Sequence, residues 1–280
     1  MAEFGATRGH GHGVARAAAA VALLLVFLII VFPVAWLVLT AFKFPRDVYE
    51  IKWAFEPTLE NFAIIFQSPW NIGRRIVNSV VVALATVGIA IPVATLAAYS
   101  FSRFDFLFKR GLFYAILATQ FVPAVVIILP FYLMFRDLGL LDTRTGLVIV
   151  NLAIVTPFAI WMLKGFFDAV PLECDEAALI DGASRLAIIR LVVVPMAWPG
   201  MIVAAVFCFI LTWNEFIFAL ILTRNDAVTL QVGLASFRTE RGDVWELMAA
   251  AGILITIPAA IAATLIQKHF VSGLTGGAVK

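Results

Sequence analysis

The sequence contains six long stretches without a charged residue, and no other feature constrains its fold as strongly. These stretches cover 17–42, 76–102, 111–135, 145–163, 191–214 and 247–267. A helix that crosses a bilayer needs about 20 mostly apolar residues. We therefore predict an all-α membrane protein with six transmembrane helices. The predicted spans are about 17–42, 76–100, 111–135, 145–164, 199–223 and 246–267.

Composition excludes an ordinary soluble domain. Apolar residues make up 63% of the chain, against about 45–50% in soluble domains. The first stretch is also too long for a cleaved signal, whose apolar region spans about 7–15 residues. We predict that residues 1–16 form a disordered tail and that residues 17–280 form a single transmembrane domain.

Charge leaves the orientation of the chain open. Lysine and arginine residues divide evenly between the two sides of the predicted bundle, so the positive-inside rule makes no choice. The two cysteines, Cys174 and Cys208, form no paired motif, which gives no indication of a disulfide or a zinc site. We predict no metal site and no nucleic-acid partner.

The longest informative loop, residues 165–198, has the pattern of two helices joined by a turn. Pro171 suits a first helical turn, and three acids follow it near the positive end of that helix. Gly182 can close the helix in a left-handed conformation, Ser184 can cap the next helix, and Pro195 is expected to end it. Such an elbow is either a lever that transmits force or an amphipathic hairpin lying on the lipid surface.

This loop resembles the signature loop of permease subunits of bacterial ATP-binding-cassette importers. The family motif is Glu-Ala-Ala, three residues, Gly, nine residues, then Ile-x-Leu-Pro. Here it reads Glu176-Ala177-Ala178, Gly182 and then Val192-Val193-Val194-Pro195, with valine in place of isoleucine and of leucine. The resemblance implies that the loop is cytoplasmic and docks on an ATPase. The residues assigned to this coupling are Glu176, Ala177, Ala178, Asp181, Gly182 and Pro195.

Further segments are similar to carbohydrate importers of the maltose-transporter type, specifically to their smaller permease subunit. They are Thr40–Lys43, Asn78-Ser79, Ala98-Tyr99 with Arg103, Pro130–Tyr132, Leu138–Thr143, Trp213–Phe216 and Phe270–Lys280. The resemblance implies a bacterial inner-membrane protein with both termini in the cytoplasm. It also implies a second homologous permease, two ATPase subunits, a solute-binding protein and a sugar, oligosaccharide, polyol or related solute. In the C-terminal tail, it assigns ATPase contacts to Gly273, Thr275, Gly277 and Lys280.

The chain has no phosphate-binding loop of the form G-x-x-x-x-G-K-[ST], and Gly is nowhere followed by Lys. Hydrolysis of ATP with Mg²⁺ is therefore expected in a separate ATPase. We predict that this chain is a non-catalytic subunit with no cofactor of its own.

Four of the polar residues within the predicted spans are candidates for a functional role, because polar groups there commonly mark pathways or brace helices. They are Gln120, Asn151, Asn214 and Glu215. One interpretation places them on the solute pathway or its gate, and the other assigns them to helix packing or to the partner subunit. A different class of function is an ion-coupled secondary carrier that uses Glu215 as a proton site. A membrane enzyme is disfavoured, because the sequence shows no metal-spaced histidine cluster and no nucleophile–base arrangement.

Overall fold

A computed structural model of the chain describes residues 9–239 and 242–275, and most of them are helical. In chain order the elements are α1 (Gly9–Ala41), α2 (Pro45–Val48), α3 (Glu60–Ile65), α4 (Ile72–Arg103), α5 (Lys109–Ala118), α6 (Ala124–Asp137), α7 (Arg144–Asp168), α8 (Leu172–Ile180), α9 (Arg185–Ile188), α10 (Val194–Trp213), α11 (Ile217–Leu222), α12 (Leu230–Ala235), β1 (Arg238–Thr239), β2 (Gly242–Asp243) and α13 (Trp245–Thr275). The two short strands pair antiparallel, with Arg238 opposite Asp243.

The described residues contain five helices that are long and apolar enough to cross a membrane. A bent pair of helices supplies a sixth candidate if the pair is counted as one span. The five are Ala19–Ala41, Ile72–Arg103, Arg144–Asp168, Arg185–Trp213 and Trp245–Leu265, and the pair is Lys109–Phe121 with Ala124–Asp137. The predicted helical membrane architecture is therefore confirmed in its coarse form, as a mostly helical chain with five to six apolar spans.

The third predicted span, 111–135, is not one helix. The two helices of the pair meet at 94°, on either side of Val122 and Pro123. Proline has no N–H group, and its ring disfavours a helical conformation in the preceding residue. Val122 is accordingly extended, with φ −76° and ψ 118°.

The fifth predicted span, 199–223, is also interrupted. α10 ends at Trp213, residues 214–216 leave the helix, and α11 begins at Ile217. Glu215 therefore lies in a break between two helices and not inside a continuous one.

The expectation that Pro195 ends the helix begun after Ser184 is wrong. α9 continues through one π-helical turn, Ile189–Val193, directly into α10. Within that turn the N–H of Val194 reaches back to the carbonyl of Ile189. The wider turn precedes Pro195, which then occupies the first turn of α10, where its missing N–H is tolerated.

The chain divides into two compact units, one of residues up to Ile65 with Phe237–Ile253 and the other of Phe66–Ser236 with the residues from Leu254 on. In the first unit, the Asn61 amide donates to the carbonyls of Ala41 and Lys43, at 2.9 and 2.8 Å. The buried Lys43 ammonium lies 4.5 Å from the centroid of the Trp36 ring. α1 begins at Gly9, so residues 9–16 are helical where the sequence predicted a disordered tail.

In the second unit, α4, α7 and α10 pack against one another around a buried apolar cluster. Small side chains let the helices approach closely, as is usual between membrane helices. The tightest approach is at Gly200, where a β-carbon would lie 2.2 Å from Cγ of Phe166 on α7. The buried alanines of this interface are Ala90, Ala94, Ala98, Ala159, Ala197 and Ala204.

We expect Gly200→Ala to destabilise the packing of α7 against α10. Its methyl group would force the Phe166 ring to move, and overpacking of this kind typically costs about 1–3 kcal/mol. Gly165→Ala is the matched control, because a β-carbon there has no neighbouring atom within 4 Å. Thermal unfolding in detergent should give a lower midpoint for Gly200→Ala and an equal or higher one for Gly165→Ala. Equal midpoints for both variants would contradict the close packing.

Candidate functional site

The segment after α7 forms a compact elbow, which we define as α8, the turn at 181–184 and α9. Gly182 has φ +82°, the left-handed conformation predicted for it. The N–H groups of Gly182 and Ala183 bond to the carbonyls of Leu179 and Ala178, each at 3.0 Å, which satisfies the last carbonyls of α8. The Ser184 hydroxyl accepts from the N–H of Ala187 at 3.3 Å, so the predicted cap is present.

The tip of the elbow is exposed and mixes acidic and apolar side chains. Glu176, Ala177, Asp181 and Gly182 are exposed, and Ala178 is half-buried. Ile180 is 86% exposed. Five of the six predicted coupling residues thus lie together on α8 and its turn. Pro195, the sixth, belongs to α10.

Underneath, the elbow is anchored by a buried ion pair. Arg103, at the end of α4, places Nε 3.0 Å from Oδ2 of Asp175, and the two side chains are 6% and 2% exposed. The Tyr99 hydroxyl donates to the same carboxylate oxygen at 3.1 Å. Arg103 also donates to the carbonyl of Val170 at 2.9 Å. Because α8 and α4 share this buried network, the elbow cannot shift freely against the membrane helix.

A second link joins the same ends of α4 and α7. The Ser102 hydroxyl donates to Oδ1 of Asp168 at 2.7 Å, and Lys164 lies 2.6 Å from Oδ2. Asp175 and Asp168 were not identified as site residues from the sequence, where Asp175 counted only as one of three acids near a helix start. Arg103, which forms the ion pair with Asp175, was a landmark of the family resemblance, but no role was assigned to it.

At the opposite end of α4, a carboxylate holds the loop that follows α11. Asp142 accepts hydrogen bonds from the backbone N–H groups of Arg224, Asn225, Asp226 and Ala227, at 3.0–3.1 Å. Partial burial raises the pKa of Asp142, but these four backbone donors outweigh it, and the pKa lies below its usual value. The carboxylate is therefore charged at neutral pH and pins the loop.

Side chains from α4 bind the same loop, and Arg144 at the start of α7 supports one of them. The Asn78 amide donates to the carbonyls of Asp226 and Val228, each at 2.9 Å. Its oxygen accepts from Nε of Arg144 at 2.8 Å, and the Ser79 hydroxyl accepts from the N–H of Leu230 at 2.8 Å. The landmarks Asn78-Ser79 and Leu138–Thr143 thus converge on one loop, 223–230, a role that the sequence did not indicate.

Glu215 caps α11. Its two carboxylate oxygens accept from the N–H groups of Phe218 and Ala219, at 2.7 and 3.0 Å. Negative charge at this position also complements the positive end of the helix. The carboxylate predicted within a span is therefore stabilised by backbone donors that the break at 214–216 leaves free.

The other intramembrane polar residues bond to helix carbonyls. The amide groups of Asn214, Asn151 and Gln120 donate to the carbonyls of Ile210, Leu147 and Ile154, respectively. Of the four predicted pathway residues, Gln120 alone lines the apolar cavity of about 490 Å³ beside the break at Pro123. The structure does not gather the four into one site.

No metal site is evident within residues 9–239 and 242–275, where no group of three or more His, Cys, Asp or Glu side chains could hold an ion. The predicted tail contacts fall at or beyond the end of the described residues. Gly273 and Thr275 belong to the last turns of α13, and Gly277 and Lys280 lie outside the described part of the chain.

Comparison with known proteins gives consistent matches over nearly the whole chain. Residues 90–276 match the family described as binding-protein-dependent transport system inner membrane component. The chain is 33% identical to the diacetylchitobiose uptake system permease protein of Streptomyces coelicolor, covering 91% of this chain and 93% of that protein. It is 32% identical to the trehalose/maltose transport system permease protein of Thermococcus litoralis, covering 90% and 92%.

A solved structure shares the fold. A chain of a bacterial ABC transporter involved in the import of the acidic polysaccharide alginate superposes with a TM-score of 0.81. The match covers 95% of this chain and all of that chain at 22% identity.

We expect Asp142→Asn to loosen the loop 223–230. An amide cannot replace the charge that draws four backbone donors, and hydrogen bonds to charged groups are worth about 1.5–3 kcal/mol. Amide hydrogen exchange at 224–227 should become at least about tenfold faster at pH 7, whereas Asp137→Asn, at an exposed residue nearby, should leave it unchanged.

The stabilisation of the loop by Asp142 is expected to be lost in acid. A lowered native pKa stabilises the loop fully above the ordinary aspartate pKa of about 3.9, and that stabilisation is lost as the pH falls through the native value. The difference between wild type and Asp142→Asn should therefore persist near neutrality, begin to shrink only below about pH 4, and vanish once the pH lies below the native pKa. A difference that grows on acidification would contradict this role.

Proposed function

The chain belongs to the family of binding-protein-dependent transport system inner membrane components, and on that basis we propose how it works as the permease subunit of an ATP-driven importer. Relatives that carry diacetylchitobiose and trehalose or maltose support a sugar or oligosaccharide as the solute. A polyol or a related solute fits the same proposal. The single observation that carries the mechanism is the exposed elbow anchored by a buried ion pair.

The elbow is proposed as the docking element for a separate ATPase. Its tip offers the Glu176 carboxylate to a basic partner, and the small side chains of Ala177 and Ala178 permit close approach. The exposed Ile180 adds apolar surface that a docked protein would cover. In this proposal the elbow faces the cytoplasm, and both chain termini lie on the same side.

The anchor determines what the ATPase can move. Because Arg103 and Asp175 bind α8 to the end of α4, a displacement of the elbow pulls on α4. The close packing of α4 with α7 and α10 then carries the displacement across the helices. Closure of the ATPase pair would thus alternate the access of a central path between the two faces of the membrane.

The rest of the assembly follows from the same proposal. A second homologous permease would complete the path, two ATPase subunits would bind ATP and Mg²⁺, and a solute-binding protein would deliver the solute. The C-terminal residues Gly273, Thr275, Gly277 and Lys280 remain proposed contacts to the ATPase pair. In this arrangement ATP is hydrolysed outside this chain.

Glu215 gives no support to the alternative of an ion-coupled carrier. Both of its carboxylate oxygens bond to the N–H groups that begin α11. The break between the helices leaves these N–H groups free, which explains a carboxylate at this position without a role in proton transfer. Asn214 beside it bonds within α10, so these two residues fit bracing of the helices better than a path for solute.

We expect Glu176→Arg to uncouple the transporter. Reversing a charge at the ATPase contact should lower solute uptake by at least about tenfold, since loss of a buried interfacial charge pair costs roughly 2–5 kcal/mol. Gly182→Leu should act in the same direction, because its φ of +82° strains any side chain. The measurements are ATP-dependent uptake and co-purification of the ATPase.

Asp105→Arg is the matched control, since Asp105 is an exposed acid that follows α4 and lies outside the elbow. It should retain uptake, and all three variants should reach the membrane in normal amounts. Normal uptake and normal ATPase recruitment in Glu176→Arg and Gly182→Leu would overturn the proposed docking site.

A further inference from the structure

A basic pocket lies at the end of α4 opposite the elbow, and it has no role in the coupling described above. Its volume is about 440 Å³, within the usual size range of ligand pockets. None of the described residues that line the pocket carries a carboxylate. Three arginines and three asparagines supply its polar lining: Arg74, Arg75, Arg224, Asn71, Asn78 and Asn225.

The positive charge of this pocket is only partly balanced. Arg74 pairs with Asp226 at 2.6 Å. Arg75 donates to the neutral Ser236 hydroxyl at 2.7 Å, and Arg224 forms no ion pair with any residue that the structure describes. Asp142, the other nearby acid, is occupied by the four backbone donors of the loop. Two guanidinium groups therefore line the pocket without a counter-charge.

The start of α4 adds to this imbalance. Its first turn carries Arg74 and Arg75 and no acidic residue, although the positive end of a helix dipole favours acids there. Arginines in this position are unfavourable unless an anion approaches them. Guanidinium groups match carboxylates especially well, because they can donate two parallel hydrogen bonds.

The pocket is also held in shape by packing and hydrogen bonds. Arg75 packs so closely on Gly233 that a β-carbon there would lie 2.5 Å from its Cδ. Arg224 and Asn225 belong to the loop that Asp142 and Asn78 hold in place. A preformed site of this kind binds without the entropic cost of ordering a loop.

We propose that this pocket receives an acidic side chain of the solute-binding protein. The inference rests on the proposed function and on the description of the family as binding-protein-dependent. Four polar residues of the pocket lining are exposed, which favours a partner that approaches from water over a lipid headgroup. They are Asn71, Arg74, Arg224 and Asn225.

The test is the ATPase activity of the complete transporter in nanodiscs, titrated with its purified solute-binding protein. Arg224→Glu should raise the concentration for half-maximal stimulation about tenfold at low ionic strength, and the effect should shrink as salt screens the charges. Arg136→Glu makes the same change of charge at an exposed residue of the same end, outside the pocket, and should match wild type. Hydrogen exchange at 224–227 checks that the loop of Arg224→Glu remains folded.

The outcomes separate the two proposals. If wild type itself is not stimulated by the binding protein, the proposed function and this inference both fail. If wild type is stimulated and Arg224→Glu behaves like Arg136→Glu, the docking pocket is wrong and the function stands. A variant that changes the uptake of acidic solutes without changing half-maximal stimulation would show that the pocket binds solute instead, which also overturns the inference.

Discussion

The buried pair of Arg103 and Asp175 is the interaction on which the proposed coupling depends. The two charged side chains are only 6% and 2% exposed. Their burial is tolerated because each forms further hydrogen bonds. Tyr99 donates to the carboxylate, and the carbonyl of Val170 accepts from the guanidinium. Removing one member of such a pair typically costs about 3–5 kcal/mol, although the pair itself adds little net stability. Its value here is geometric, because it fixes one orientation of α8 relative to α4.

α4 is held by polar networks at both of its ends. At one end Arg103 anchors the elbow, and at the other Asn78 and Ser79 bind the loop 223–230. Between the two networks, α4 packs on α7 and α10 through small side chains. A helix fixed in this way moves together with its neighbours. In the proposed mechanism, force from the ATPase therefore reaches the distant loop through α4 and the helices packed against it.

The sequence predicted those features that depend on local chemistry. Apolar length predicted the membrane helices, Gly182 predicted the end of α8, and Ser184 predicted the cap of α9. It did not predict the break at Pro123 or the π-helical turn before Pro195, because proline gives similar patterns at a kink, a break or a helix start. The sequence also did not predict the hydrogen-bond partners of Asp175 and Asp142. These partners lie more than 70 residues away along the chain, and helix packing brings them close.

The most direct test of the central claim is a distance measurement between α8 and α4. Spin labels at Leu172 and Leu96, which are 51% and 50% exposed, would be attached after Cys174 and Cys208 are replaced. Pulsed electron paramagnetic resonance of the assembled transporter would then compare the nucleotide-free and ATP-bound states. A rigid connection predicts the same distance distribution in both states, while solute access changes sides. A shift of several ångströms between the labels on ATP binding would contradict it, because the elbow would then move independently of α4.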